Sequence, residues 1–310
     1  MAENICNSTP QLSVIVATYN RAEPLRRTLR SLAAQTLDKS LWELVVVDNH
    51  SGDSTPAVID AFIADHPEVC VRRFVELRQG VSHARNRAFA ESRGEIVVSI
   101  DDDEEAFPDF LEVYYEFFKS HPHINAAGGD NVPLYEECPR PEWMSKYTET
   151  PIAALVRMGD KRRPFSGGRF FMGGNMAMRR GVFEKYGLLH GELGRTGSSP
   201  LAGEEKEFFF RMQRAGEEIW FLPEAKIYHI IPAYKLTRQY FLNLCYMTGR
   251  SERLRTKRLG RWAYFKRICA EEIKWWGTLV IALGYLLKGQ KAKAKYLVDM
   301  RMAITQGLFS

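Results

Sequence analysis

The chain has 310 residues, of which 45% are hydrophobic and 26% charged, with a formal net charge of +5. That is enough apolar material for one large α/β domain with an appendage, or for two domains. Five cysteines (Cys6, Cys70, Cys138, Cys245 and Cys269), odd in number and widely spaced, argue against a disulfide framework or zinc site and for a reducing compartment.

Residues 1–10 carry neither a basic stretch nor an apolar core, so no signal peptide is expected. Leu12 to Ala17 is a short apolar run that reads as a central parallel strand, and Thr18-Tyr19-Asn20-Arg21 is the turn after it. Pro24 opens a helix with Leu25, Leu29 and Leu32 at helical spacing. Trp42 to Val47 is a second strand ending in Asp48, and a helix through Val58 and Phe62 follows. A third strand runs over Val71–Glu76, a helix over Gly80–Ala90, and a fourth strand over Ile96–Ile100. Strand alternating with helix is the pattern of an open parallel sheet, which binds ligands at the carboxyl ends of its strands. Asp48 and the triplet Asp101-Asp102-Asp103 both fall there.

Three adjacent acids repel one another. They make sense around a hard divalent cation such as Mg²⁺ or Mn²⁺, or as a solvated turn before the helix near Pro108. If the strand continued through them, Asp101 and Asp103 would face one way and Asp102 the other. No Gly-x-x-x-x-Gly-Lys-Ser/Thr and no Gly-x-Gly-x-x-Gly follows the first strand, so neither a P-loop enzyme nor a dinucleotide dehydrogenase is indicated.

The segments Leu12–Arg21, Val45–Asp53 and Gly80–Asn86, the triplet 101–103, then Gly173-Gly174-Asn175-Met176 and Gly203–Glu207 occur in this order. Together they resemble the family 2 inverting glycosyltransferases of the GT-A fold, over about residues 11–232. The resemblance implies a GT-A, Rossmann-like α/β fold with a mostly parallel sheet. It implies a catalytic domain over residues 1–235 and a basic helical extension over 236–310.

The resemblance also implies roles. Thr18, Tyr19, Asn20 and Arg21 would line the nucleotide pocket, and Asp48 would accept a hydrogen bond from the base, unless it only caps its turn. Arg78 and Arg85 would lie near the nucleotide or its diphosphate. Asp101 and Asp102 would belong to the same site, Asp102 at the ribose. Asp103 would hold Mn²⁺ or Mg²⁺, with His229 as a candidate for completing the metal shell or as a structural histidine. Gly174, Asn175 and Glu204 would face the sugars. The family usually has Glu-Asp where this chain has Glu204-Glu205, and the second acid is its catalytic base. Glu205 keeps the carboxylate on a side chain one methylene longer. The same acids also suit a helix N-terminus. The implied reaction is transfer from a nucleotide-sugar, a UDP-sugar first, to a glycan or lipid-linked hydroxyl. A sugar nucleotidyltransferase and a non-catalytic nucleotide-sugar-binding or membrane scaffold protein are the alternatives.

Residues 130–172 read as loop-rich. The basic, Gly-rich part from Arg162 to Arg169 is either a loop over the donor or a surface connection. Residues 249–310 hold 14 basic and 4 acidic residues, a balance of +10, whereas residues 1–248 hold 29 and 34. A helix is expected over Leu236–Gly249, and Trp275 to Leu287 is apolar but shorter than the roughly 20 residues of a spanning helix. Aromatics beside basic clusters suit an interfacial helix on anionic lipid. The alternative is a helical hairpin packed on the catalytic domain or on a second subunit in a homo-oligomer. The acidic body argues against nucleic acid. The expected location is the cytoplasm, at the inner face of the cell membrane.

Overall fold

The computed structural model describes residues 9–166, 168–196 and 203–310. Met1–Ser8, Gly167 and the segment 197–202 lie outside that set, and with them most of the amino-terminal stretch in which no signal peptide is expected.

The chain forms two compact units. One comprises Met1–Val132, Val156–Gly191 and Glu204–His229; the other comprises Pro133–Leu155, Glu192–Gly203 and Ile230–Ser310. The second unit thus takes in Pro133–Leu155 as well as the tail.

In the first unit, strands β1 (Leu12–Thr18) and β2 (Trp42–Asp48) are parallel and in register, Thr18 opposite Asp48. β3 (Cys70–Val75) flanks β2, and β4 (Ile96–Ser99) flanks β1, both parallel. Helices α1 (Ala22–Ala33), α2 (Thr55–Asp65) and α3 (Val81–Glu91) connect these strands. Side chains alternate along the strands. Val14, Val16, Leu44 and Val46 join one core with Leu25, Leu29 and Phe62, while Ile15, Val45 and Val47 join another with Ala84, Ala88 and Phe89. Both faces are covered, which is why the strands read as unbroken apolar runs. Each such Val or Leu contributes roughly 1.5–3 kcal/mol by leaving water.

Away from β1, β4 pairs antiparallel with β8 (Met176–Arg179), and β8 pairs antiparallel with β6 (Ala126–Tyr135). β9 (Ile219–Ile231) and β5 (Glu104–Ala106) complete the order β3-β2-β1-β4-β8-β6-β9-β5, with β7 (Arg163–Pro164) paired to β9. The β9–β5 and β9–β7 pairs are antiparallel as well. The sheet is therefore mixed: a parallel half reads from the sequence, and an antiparallel half is added beyond β4. Helices α4 (Phe110–Ser120), α6 (Gly181–Tyr186) and α7 (Glu204–Arg214) belong to this unit. Arg162 and Arg163 lie at the short strand β7 and are exposed, so part of the basic segment is a surface connection.

The second unit holds α5 (Lys146–Ala153) and three long helices, α8 (Arg238–Arg258), α9 (Arg261–Leu287) and α10 (Lys291–Phe309). The helix expected to end at Gly249 continues for nine residues. Gly249 is instead a contact point. A Cβ there would sit 2.1 Å from the Ile304 carbonyl oxygen, and one on Gly307 would sit 1.9 Å from that of Tyr246. The two glycines let the backbones of α8 and α10 touch. Phe241, Cys245, Leu297 and Met300 fill the core beneath, and Trp143 stacks on Tyr296 at 4.2 Å.

Cys70 is disulfide-bonded, whereas Cys138, Cys245 and Cys269 are free. The spacing of the cysteines does not anticipate that bond.

Candidate active site

The site is assembled at the carboxyl ends of β1, β2 and β4 from loops that lace into one another. Asn20 has φ of 52°, in the left-handed region that asparagine tolerates better than most residues. Its backbone N–H donates to Ser51 Oγ at 2.9 Å, and its Oδ1 accepts from the Gly52 N–H at 2.8 Å. The turns after β1 and β2 are thereby joined. Asn49 joins the next pair: its Nδ2 donates to the carbonyls of Glu76 and Arg78, and its Oδ1 accepts from the Gly80 N–H. The buried Asp48 accepts from the Ser51 N–H at 2.9 Å, so it caps its own turn. Thr18, next to it across the ladder, is buried, whereas Tyr19 is exposed.

The acid triplet forms a turn between β4 and β5 rather than an extension of β4. The expected alternation therefore does not hold. Asp102 and Asp103 share one partner, Arg21, whose Nη1 donates to Asp103 Oδ2 at 2.7 Å and to Asp102 Oδ1 at 3.4 Å. Asp101 turns the other way and pairs with Arg85. Burial pushes the Asp102 carboxyl up to about 7; Arg21 opposes the rise, and Asp103 adds to it. Glu104, which no motif in the sequence marks, is buried next in line. Its Oε2 accepts from the Asp101 N–H at 3.1 Å. Burial, with Asp101 and Asp103 nearby, holds its carboxyl well above the ordinary range. In the ladder Glu104 stands opposite His229.

Arg85 is buried on α3 and links this turn to α7. Its Nη1 donates to Glu204 Oε1 at 3.0 Å while its Nη2 donates to Asp101. Gly173 and Gly174 close over these groups. A Cβ on Gly173 would lie 2.7 Å from Arg85 Nη1, and one on Gly174 would lie 2.1 Å from Glu104 Oε2. A side chain at either position would have to displace the Arg85 guanidinium or the Glu104 carboxylate. Glu205 follows Glu204 in the first turn of α7. Burial pushes its carboxyl up to about 8, with Glu204 adding repulsion and Arg85 opposing. Among the described residues its buried Oε2 has no hydrogen-bond partner.

Two expected site residues already have partners within the fold. Arg78 is exposed and pairs with Glu76 at 3.0 Å. Asn175 is fully buried with its amide engaged by the fold: Oδ1 accepts from Tyr114 Oη at 2.6 Å, and Nδ2 donates to the carbonyls of Ala225 and Asp130. It brackets β6, β9 and the Gly173-Gly174 turn, leaving the glycines to form the site wall.

Among the described residues, no group of three or more His, Cys, Asp or Glu side chains is placed to cage a metal ion. The donors present suit another mode. Hard cations are commonly held by one or two carboxylates together with substrate phosphates, and the crowded, oxygen-only triplet with His229 near its far end offers that set.

Residues 13–187 match the family described as Glycosyl transferase family 2. The chain is 27% identical over 252 residues to glucosyl-dolichyl phosphate glucuronosyltransferase of Haloferax volcanii, covering 79% of this chain and 77% of that protein. It is 26% identical over 248 residues to the succinoglycan biosynthesis protein ExoM of Rhizobium meliloti, covering 79% and 75%. Its fold is similar to that of the mannosyltransferase PcManGT from Pyrobaculum calidifontis in complex with GDP-Man and Mn²⁺. There the TM-score is 0.62 at 18% identity, over 96% of this chain and 87% of that one. It is also similar to S. aureus TarS 1-349 in complex with UDP, with a TM-score of 0.56 at 17% identity, over 94% and 90%. With the strand-end acids, the glycine wall and the α7 carboxylates arranged as described, the matched segment leads to one assignment: the chain is a GT-A-fold glycosyltransferase and belongs to glycosyl transferase family 2.

Proposed function

We propose that the chain is an inverting, metal-dependent glycosyltransferase that moves a sugar from a UDP-sugar to a hydroxyl of a glycan or lipid-linked glycan. The observation that carries this reading is Glu205, a buried carboxyl with one oxygen unpartnered, at the start of α7 beside the Arg85–Asp101 bridge. The acceptor oxygen attacks the anomeric carbon as its proton passes to Glu205. The bond from that carbon to the diphosphate breaks, and the electron pair leaves with the nucleoside diphosphate. Attack opposite the leaving group inverts the configuration.

Thr18, Tyr19, Asn20 and Asp48 form the nucleotide end of the site and Asp102 its ribose contact. Arg21 and Arg85 supply cationic donors for the phosphates. Glu204, held by Arg85, and the Gly174 wall face the sugars. Mn²⁺ or Mg²⁺, when bound through Asp103 and His229, supplies charge neutralisation for the leaving diphosphate. UDP stands in the TarS complex and GDP-Man with Mn²⁺ in the PcManGT complex, which supports this cofactor class and makes a GDP-sugar the second candidate, ahead of a dTDP-sugar. The Haloferax relative is named for a dolichyl phosphate-linked glucose, which supports a lipid-linked acceptor.

Residues 1–235 form the catalytic domain in this reading. Residues 236–310 form an extension that meets anionic membrane from the cytoplasmic side. Thermal shift with UDP-, GDP- and dTDP-sugars, each with and without Mn²⁺, tests the donor. A UDP-sugar should raise the melting temperature most, and only with metal. Equal shifts without metal would overturn the metal assignment, and no shift with any donor would overturn the reading as a whole.

A further inference from the structure

Helix α9 is inside out. A helix on a water-soluble bundle turns its apolar stripe inward and its charges outward. Here the inward positions are polar over the middle of the helix, and only toward its end do Ala282, Ile281 and Tyr285 turn apolar surface to the core. Glu271, almost completely buried, is held by Arg267 Nη1 at 2.7 Å and by Arg301 Nη1 of α10 at 2.9 Å. One and two turns on, Trp275 Nε1 donates to Thr305 Oγ1 at 3.0 Å, and Thr278, also buried, accepts from Arg301 at 3.2 Å. The outward positions are apolar. Trp262 is 67% exposed, Ile273 73%, Trp276 72%, Val280 70% and Leu287 81%. From Ile273 to Leu287, with Leu283 also exposed, these residues recur at intervals of three and four, and Trp262, eleven residues before Ile273, shares their side of the helix. The single acid in the stripe is Glu272; from Trp275 to Leu287 no residue is charged.

We infer that the outward face of α9 lies in the plane of an anionic lipid surface, its large apolar side chains in the acyl boundary and the flanking bases on lipid phosphates. This rests on the proposal above that the tail meets membrane, and it names the face that does so. Charge decides between lipid and a second copy of the chain. Arg261, Lys266 and Lys274 are exposed along α9, and Lys288 and Lys291 are exposed just past its end. Two tails at +10 each would repel face to face, whereas anionic headgroups complement them. Among the described residues no helix is long and apolar enough to cross a membrane, so the helix lies along the surface instead. The polar inner side explains how the apolar residues come to be outside: the Glu271–Arg301 network pins α9 to α10 with its hydrophobic side facing away.

The test uses the full chain with phosphatidylglycerol and phosphatidylcholine vesicles. Trp262 and Trp276 should shift to the blue and be quenched by brominated acyl chains in the anionic vesicles at low salt, and much less in the neutral ones. A triple variant W276S/V280S/L283S should lose vesicle partitioning by about tenfold or more while keeping its circular dichroism and its affinity for UDP. Wild-type partitioning by the triple variant would overturn the inference, as would equal binding to both vesicle types. A wild-type chain that ignores vesicles but is a dimer, made monomeric by the same substitutions, would give the face to a second copy. UDP affinity is read separately, so failure of the nucleotide reading and failure of the lipid reading appear in different measurements.

Discussion

Arg85 Nη1 donates to Glu204 Oε1 at 3.0 Å, and the same buried guanidinium reaches Asp101 with its other nitrogen. One side chain on α3 therefore couples the strand-end acids to the start of α7, where Glu205 sits. Removing it deprives the buried Glu204 carboxylate of this cation, with the partly exposed Asp101 beside it. Arg85→Ala should destabilise the chain by about 3–5 kcal/mol, measured by urea denaturation. Arg85→Lys, with one nitrogen for two partners, should fold better yet transfer sugar slowly. Full turnover in Arg85→Lys would show that the bridge has no part in the reaction.

The pH dependence follows from Glu205. Its carboxyl is raised to about 8 in the folded chain, against an ordinary value of 4.5. The folded state thus prefers the protonated form. The stability this group contributes is complete below about pH 4.5 and is lost as pH rises toward 8. Glu205→Gln cannot ionise and should be more stable than wild type above pH 8, by about 1–3 kcal/mol. The transfer rate of the wild type should rise over the same interval as the base loses its proton. A rate that falls between pH 6 and 8 would exclude Glu205 as the proton acceptor.

The triplet gives a third expectation. Arg21 bridges Asp102 and Asp103, so Asp103→Ala removes the proposed metal ligand without unfolding the turn, Asp102 keeping Arg21. Metal-dependent UDP binding, followed by calorimetry with Mn²⁺, should disappear while the melting temperature changes little. Undiminished binding, or full wild-type activity in EDTA, would contradict the assignment of Asp103.

Asn175 behaves differently from its neighbours. Asn175→Ala strands the Tyr114 hydroxyl and the carbonyls of Ala225 and Asp130, all inside the protein. Each unsatisfied buried group costs about 1–3 kcal/mol. The variant should melt earlier with its affinity for UDP unchanged. Undisturbed stability with impaired sugar binding would return Asn175 to the site.

The parallel half of the fold is legible because β1 and β2 centre on the apolar runs Val14–Ala17 and Leu44–Val47, covered on both faces, and Leu25, Leu29 and Leu32 follow β1 at helical spacing. The antiparallel half is not. β5 has three residues and β8 four, too few for periodicity, and their pairing depends on contacts far away in the chain. The triplet announces a charged site, but its geometry depends on a turn that local pattern does not specify, and nothing in the sequence separates the buried Glu104 from the acids around it. For Asn175 the residue type shows that a side chain can bind a sugar, and only burial shows that its amide is already engaged by the fold. Likewise the basic tail is plain in the composition, but the outward turn of its apolar stripe depends on the Glu271–Arg301 pair across two helices.

The central claim is that Glu205 takes the acceptor proton, and the most direct test pairs turnover with affinity in Glu205→Gln. The substitution keeps the size of the side chain and removes its basicity. Sugar transfer should fall by about 10²-fold or more, while the dissociation constant for the nucleotide with Mn²⁺ stays within about twofold of wild type. Near-normal turnover in that variant would contradict the account and move the search for the base to Glu204 or Glu207.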